Sequence, residues 1–157
     1  MMEEFVKFLI QNKITISTAE SCTGGIIAKQ ITDVPGASSV FLGSVVSYSD
    51  EMKIKMLNVK KETLQEFGSV SESTVREMLE GIDKITASDI GIAISGIAGP
   101  GGGTEEKPVG TVFIGINIKG NINIRRMIFS GNRNAIREKS AAYAINMVDD
   151  YIRKSAK

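Results

Sequence analysis

Hydrophobic residues recur at helical spacing in several parts of the chain. Near the N-terminus, Phe5, Phe8 and Leu9 fall on one face of a helix, and near the C-terminus Tyr143 and Met147 are one turn apart. The same reading along the chain predicts helices over Met1–Gln11, from Ser21 through Thr32, from an N-cap at Asp50 through Lys53 and Met56, over Glu62–Phe67, from Ser71 through Ile82, and over Arg133–Lys154.

Short β-branched and apolar runs between these helices predict strands. The runs are Ile14–Thr18, Val45–Tyr48, Asp89–Ser95, Val109–Ile118 and Ile122–Phe129, and the last two are joined by a hairpin turn around Lys119-Gly120-Asn121. Strands that alternate with helices and end in a hairpin predict an α/β fold. We expect a three-layer α/β/α sandwich with a mixed β-sheet, formed as a single domain by residues 1–157.

Composition is typical of a soluble globular protein, with 42% apolar and 24% charged residues. A net charge of +1 provides no basic field, so we expect neither a nucleic-acid nor a membrane partner. The one cysteine cannot form an intramolecular disulfide, and the first residues lack the pattern of a signal peptide. These features favour a cytoplasmic protein.

Histidine is absent from the chain, and this limits the chemistry available to it. A Ser-His-Asp or Cys-His site cannot be built. With one cysteine and no histidine, a zinc site would have almost only carboxylates to use, so no metal is expected. Any acid–base catalyst must be a lysine, a carboxylate, a tyrosine or the cysteine.

The segment Thr18–Gly25, TAESCTGG, lies where a predicted strand passes into a helix. Ligands of open α/β sheets bind at such strand ends, and the start of a helix supplies free N–H groups. The hydroxyl of Ser21 could attack an acyl carbon there while N–H groups near Thr23, Gly24 and Gly25 hold the oxyanion. The alternative is that Ser21 and Thr23 only cap the helix.

Lys53 is predicted in the first turn of a helix, in the segment YSDEMK over Tyr48–Lys53. The positive end of the helix dipole favours the neutral amine there, and burial would lower its pKa further. A lysine whose pKa is lowered to roughly 7–8 can serve as a general base. The alternative is a solvated surface lysine.

Two further segments could bind a ligand. Ser95–Pro108, SGIAGPGGGTEEKP, follows a predicted strand, and its backbone N–H groups could surround an anionic or planar ligand; otherwise it is a flexible loop. Arg133 and Arg137 lie one turn apart at a predicted helix N-terminus. A bound phosphate would stabilise cations in that position, but two exposed arginines paired with acids would fit the spacing equally well.

Cys22 also lies at a predicted helix N-terminus, where a thiol can become nucleophilic. Without a histidine partner we expect it to be mainly structural.

The motifs together resemble the CinA C-terminal domain family, whose members act as nicotinamide-nucleotide amidohydrolases. The resemblance covers nearly the whole chain. It rests on TAESCTGG at Thr18–Gly25, PGAS at Pro35–Ser38, YSDEMK at Tyr48–Lys53, GSVSE at Gly68–Glu72, SGIAGPGGGTEEKPVGTV at Ser95–Val112 and FSGNRNAIR at Phe129–Arg137. The chain departs from the family pattern at Ser44, where a glycine is frequent, and at Asn132, where an aspartate is common.

The resemblance implies a hydrolase that converts nicotinamide mononucleotide to nicotinate mononucleotide and ammonia, without a cofactor, in pyridine nucleotide salvage. It suggests a serine–lysine mechanism with Ser21 as nucleophile, Lys53 as base, Tyr48 beside them, and Arg133 and Arg137 on the phosphate or orienting the substrate. The full set of predicted substrate-binding residues is Thr23, Gly24, Gly25, Ser95, Gly96, Gly99, Arg133 and Arg137.

Two other functions remain open from the residues. One is a non-catalytic module that binds a phosphorylated nucleotide or has a regulatory role, with Lys53 charged. The other is a cysteine-dependent amidase that uses Cys22. We also expect a homo-oligomer, because small domains with sites at strand ends often complete them across a subunit contact.

Overall fold

The computed structural model describes residues 1–155, and these form a five-stranded sheet with helices on both faces. Residues 156 and 157, the end of the predicted single domain, lie outside the described residues. The helices are α1 (Met2–Asn12), α2 (Ile26–Thr32), a 3-10 helix (Ala37–Ser39), α3 (Asp50–Leu57), α4 (Lys61–Phe67), α5 (Glu72–Thr86) and α6 (Arg133–Ser155); the strands are β1 (Ile16–Glu20), β2 (Phe41–Val46), β3 (Ile90–Gly96), β4 (Thr111–Ile118) and β5 (Asn121–Ile128). The predicted α/β three-layer sandwich with a mixed sheet is confirmed.

The strand order β2-β1-β3-β4-β5 brings three strand ends together. Strands β2, β1 and β3 are parallel, while β4 runs antiparallel to β3, and β5 runs antiparallel to β4. In the parallel part, Glu20 is paired with Val46 on one side and Ile94 on the other. The segments that follow β1, β2 and β3 therefore leave the sheet at the same edge, where open α/β sheets bind ligands.

Each face of the sheet buries a separate set of apolar side chains. Helices α1, α2 and α6 cover one face, and α5 covers the other with Val75, Met78, Leu79 and Ile82. Helix α3 packs against α5 at Gly81, where a Cβ atom would lie 2.1 Å from the carbonyl oxygen of Leu57. This close approach places α3, the helix that carries Lys53, beside the sheet edge.

The structure corrects the bounds of several predicted elements. Strand β1 spans Ile16–Glu20 rather than Ile14–Thr18, because its pairing with β3 covers those residues. Strand β2 spans Phe41–Val46 rather than Val45–Tyr48, because its pairing with β1 starts at Phe41 and stops at Val46. Helix α2 begins only at Ile26, since Gly24 and Gly25 have positive φ angles of 60° and 97° and form a turn. The N-cap of α3 is Ser49, whose hydroxyl accepts from Met52 N–H, rather than Asp50.

Candidate active site

A cavity of about 280 Å³ opens at the carboxyl edge of the parallel strands. Its size is just below the range of about 300–1,000 Å³ that is typical of small-molecule sites. Four segments and one helix line it: Ser21–Cys22 after β1, Tyr48 and Lys53 after β2, Ser69–Val70 before α5, the end of β3 with the loop after it from Ser95 to Gly102, and Arg133 at the start of α6. Three of the four segments contain predicted site residues.

Ser21 and Lys53 meet at the wall of this cavity. Lys53 Nζ lies 3.0 Å from Ser21 Oγ and donates to the carbonyl oxygen of Ser47 at 2.9 Å. The lysine side chain is 1% exposed and the serine is also buried. The two residues are separated by 32 positions in the sequence. A nucleophile and a base within hydrogen-bond reach are what an activated hydroxyl requires.

Burial lowers the pKa of Lys53 from its ordinary value, because removal of water disfavours the charged amine. The charges of the Asp50 carboxylate and of the Cys22 side chain raise the pKa of Lys53, but their effects are smaller than that of burial. A larger fraction of the amine is therefore neutral near pH 7 than for a solvated lysine. The neutral form is the one that can accept the proton of Ser21.

Cys22 lies beside this pair, but its thiol is held in the protonated form. Burial raises the pKa of Cys22 to about 11, against smaller opposing effects from its own backbone N–H, Lys53 and Arg137. Since the thiolate is the nucleophile, a thiol with this pKa is poorly reactive at neutral pH. The burial of Cys22 and its raised pKa therefore agree with a structural role.

Tyr48 and Arg133 stand together at the mouth of the cavity. One guanidinium nitrogen of Arg133 donates to the Tyr48 hydroxyl at 2.7 Å, and another donates to the carbonyl oxygen of Gly99 at 2.7 Å. Tyr48 is 60% exposed. A guanidinium has five N–H donors, so Arg133 keeps donors for a ligand after these two bonds.

The end of β3 and the loop that follows it form another part of the wall. Ser95, Gly96 and Gly99 line the cavity as the sequence predicts, and the Ser95 hydroxyl donates to the carbonyl oxygen of Ser69 at 2.7 Å. Within residues 1–155, the N–H groups of Gly101 and Gly102 have no acceptor. These two groups are available to an anionic or polar ligand.

Glycine at 96 and 99 is also required by packing. A Cβ atom at Gly96 would lie 2.6 Å from a methyl group of Val112, and one at Gly99 would lie 2.5 Å from a methyl group of Val109. A side chain at either position would therefore displace the loop from β4 and the segment before it.

Four predicted substrate-binding residues, Thr23, Gly24, Gly25 and Arg137, lie outside the cavity lining. The N–H of Gly25 donates to the Glu20 carboxylate, and the N–H of Gly24 donates to the carbonyl oxygen of Ser21. Arg137 donates to the carbonyl oxygens of Cys22 and Thr23, both at 3.0 Å. These hydrogen bonds hold the turn after β1, so the N–H groups of Gly24 and Gly25 and the guanidinium of Arg137 are engaged within the protein.

Glu20 was not singled out by the sequence, although it lies inside TAESCTGG. Its side chain is fully buried and accepts hydrogen bonds at the start of α2. Ser69 and Val70 were missed as well. The available signal for Ser69 was its place in the GSVSE motif, and for Glu20 it was an acidic residue at the end of a buried strand.

The fold and site together place this chain in the class of α/β/α sandwich proteins that carry a buried serine–lysine pair at the ends of their parallel strands. The profile of the CinA C-terminal domain matches residues 1–152. The chain therefore belongs to the CinA C-terminal domain family.

Known relatives agree with this assignment. The chain is 51% identical over 148 residues to a putative competence-damage inducible protein of Acetivibrio thermocellus, covering 94% of this chain and 36% of the relative. It is 50% identical over 154 residues to a CinA-like protein of Thermotoga neapolitana, covering 98% and 38%. The chain thus spans little more than a third of the length of these curated relatives.

Solved structures of similar length share the fold. A CinA superfamily protein from Klebsiella pneumoniae aligns with a TM-score of 0.93 at 36% identity, covering 98% of this chain and 96% of that one. A competence/damage inducible protein, CihA, from Agrobacterium tumefaciens aligns with a TM-score of 0.90 at 37% identity, covering 95% and 94%.

The described residues lack two further features. No helix in residues 1–155 has the length and apolar character needed to cross a membrane. No three cysteine or carboxylate side chains of that part of the chain come together in an arrangement that could hold a metal ion.

Proposed function

We propose that this chain is an amidohydrolase that releases ammonia from nicotinamide mononucleotide and forms nicotinate mononucleotide. The observation that carries the proposal is the buried Lys53 amine, 3.0 Å from the Ser21 hydroxyl at the cavity wall. The substrate is taken from the resemblance of its motifs to the amidohydrolases of the family. The product would enter pyridine nucleotide salvage.

In the first half of the reaction, neutral Lys53 accepts the proton of the Ser21 hydroxyl while Ser21 Oγ forms a bond to the carboxamide carbon. The carbonyl oxygen becomes an oxyanion. The N–H groups of Gly25, Ile27 and Ala28 donate to Glu20, whereas those of Gly101 and Gly102 at the cavity wall have no acceptor among the described residues. We therefore assign the oxyanion to the N–H groups of Gly101 and Gly102. The C–N bond then breaks, and Lys53 returns the proton to the departing nitrogen, which leaves as ammonia.

In the second half, water attacks the acyl carbon. Lys53 accepts a proton from that water, the bond between the carbon and Ser21 Oγ breaks, and the serine recovers its proton from Lys53. The carboxylic acid that forms gives up its proton to solvent, where the released ammonia takes up a proton as ammonium. The carboxylate product and the neutral lysine are left, so one water is consumed and no cofactor is needed.

The phosphate of the substrate is assigned to Arg133. Its guanidinium keeps donors after binding Tyr48 and Gly99, and it lines the cavity mouth. Arg137 is not assigned to the phosphate, because its donors hold the backbone of the turn after β1. The Tyr48 hydroxyl, which accepts from Arg133, keeps its own proton for a bond to the substrate.

The test is ammonia release from nicotinamide mononucleotide by the purified protein. Ser21→Ala and Lys53→Ala should each lower kcat by about 10³-fold or more, because the nucleophile and its base act as a unit. The matched controls are Ser39→Ala and Lys55→Ala, an exposed serine far from the cavity and an exposed lysine on the same helix as Lys53. Both controls should retain wild-type rates.

Absence of ammonia release from the wild-type protein would refute this proposal. If calorimetry then showed equal binding of the nucleotide to wild type and Ser21→Ala, the chain would be a non-catalytic binding module. The free donors of Arg133 are the observation that favours this second candidate.

A further inference from the structure

Glu20 is the residue immediately before the proposed nucleophile, and it carries a fully buried carboxylate. One oxygen accepts from the Thr23 hydroxyl at 2.7 Å and from the N–H groups of Gly25 and Ile27 at 3.0 and 3.2 Å. The other accepts from the N–H of Ala28 at 2.9 Å and from the Thr18 hydroxyl at 3.3 Å. The side chain therefore ties the end of β1 to the start of α2.

No lysine or arginine of the described residues pairs with this carboxylate. Burial of a carboxylate without a cation costs several kcal/mol unless hydrogen bonds and dipoles offset it. A neutral side chain at the N-cap would satisfy helix N–H groups without that cost. The carboxylate at this place therefore does more than cap a short helix.

The turn between β1 and α2 has two hydrogen bonds of its own, from Gly24 N–H to Ser21 O and from Ile26 N–H to Thr23 O. Gly24 and Gly25 both have positive φ angles, and glycine is the residue with the greatest backbone freedom. Contacts from outside the turn also hold it: Glu20 accepts from the Gly25 N–H and the Thr23 hydroxyl, and Arg137 of α6 binds the carbonyl oxygens of Cys22 and Thr23. Ser21 lies at the first position of this turn.

We propose that Glu20 is a positioning residue, which fixes the turn after β1 and so sets the separation between Ser21 Oγ and Lys53 Nζ. This inference rests on the proposed function for its kinetic consequence. Glu20 does not line the cavity, so it acts through Ser21 and not on the substrate. A displacement of about 1 Å at a reacting group can cost on the order of 10²-fold in rate.

The decisive variant is Glu20→Gln, which keeps the size of the side chain. The amide places an NH₂ group where one carboxylate oxygen stood, and both oxygens accept from main-chain N–H groups. At least one N–H of α2 then faces another donor, whichever way the amide is turned. We expect kcat to fall about 10²-fold, with KM within threefold of wild type and with the Ser21–Lys53 separation longer than 3.0 Å in a crystal structure.

The matched control is Asp89→Asn. Asp89 also accepts from a main-chain N–H and a threonine hydroxyl, both of Thr15 at 2.9 Å. It precedes β3, and five residues of that strand separate it from Ser95 at the cavity wall, a distance of about 20 Å along the strand. Asp89→Asn should keep wild-type kcat and KM even where its melting temperature falls.

A second pair of variants decides the matter if Glu20→Gln does not fold. Thr23→Val removes a donor to Glu20 and should lower kcat about tenfold at constant KM. Thr23→Ser keeps the hydroxyl and should have the kcat of wild type. Unchanged kcat in Glu20→Gln and Thr23→Val, an equal loss in Asp89→Asn, or a Ser21–Lys53 separation that stays at 3.0 Å would overturn the positioning role. If wild type proves inactive, the proposed function fails, and the separation measured in the variants still tests the role of Glu20.

Discussion

Replacement of Lys53 by methionine should make the stability difference between variant and wild type depend on pH. The substitution keeps a long side chain but removes a buried amine that is 1% exposed. Burial lowers the pKa of Lys53 in the folded protein below the ordinary value of 10.5, which the unfolded chain keeps. Between these two pKa values, the unfolded protein binds one more proton than the folded protein.

A difference of one bound proton corresponds to a slope of about 1.4 kcal/mol per pH unit in the free energy of unfolding. Stability rises with pH where the unfolded state binds more protons. The free energy of unfolding of wild type should therefore rise relative to that of Lys53→Met, by up to about 1.4 kcal/mol per pH unit, as pH rises from the lowered pKa of Lys53 towards 10.5. Below the lowered pKa and above 10.5 the difference should be constant, since the lysine then has the same charge in both states.

The measurement is urea unfolding of both proteins, followed by circular dichroism at several pH values from 6 to about 10.5. Subtraction of the two curves removes the contribution of groups that titrate equally in both proteins. Lys55→Met, on the exposed side of the same helix, reports the effect of the same replacement in solvent. A flat difference for Lys53→Met over the whole range, or one that shifts in favour of the variant as pH rises, would refute the assignment of a lowered pKa.

Two further outcomes follow from the structure. Cys22→Ala should retain ammonia release within about threefold of wild type, because burial raises the pKa of the thiol to about 11 and keeps it protonated; a loss comparable to that of Ser21→Ala would instead make the cysteine the nucleophile. Gly81→Ala should lower the free energy of unfolding by about 1–3 kcal/mol, because its Cβ atom would lie 2.1 Å from Leu57 O. Helix propensity alone would stabilise the alanine variant by about 1 kcal/mol, so a rise in melting temperature would contradict the packing of α3 on α5.

The sequence by itself determined the layered α/β architecture and the types of residue available for chemistry. Helical periodicity and β-branched runs located the six α-helices and five strands of the described residues, since side chains that face a core repeat with the period of the element that carries them. The 3-10 helix at Ala37–Ser39 was not predicted, and the other errors were at boundaries such as Gly24 and Gly25, where backbone conformation and not hydrophobicity delays the start of the helix. The absence of histidine excluded a histidine base, and the resemblance of the motifs to the family implied the pair Ser21 and Lys53.

Only the tertiary structure decided which of these residues meet and in what state. Ser21 and Lys53 are 32 positions apart, and their contact depends on the order of the parallel strands and on the packing of α3 against α5. The lowered pKa of Lys53 follows from burial, which is a property of the folded environment and not of the residue. The hydrogen bonds of the buried Glu20 carboxylate, and those of Arg137 to the turn after β1, could not be predicted for the same reason. Local sequence does not show which donors and acceptors a side chain will find in the folded chain.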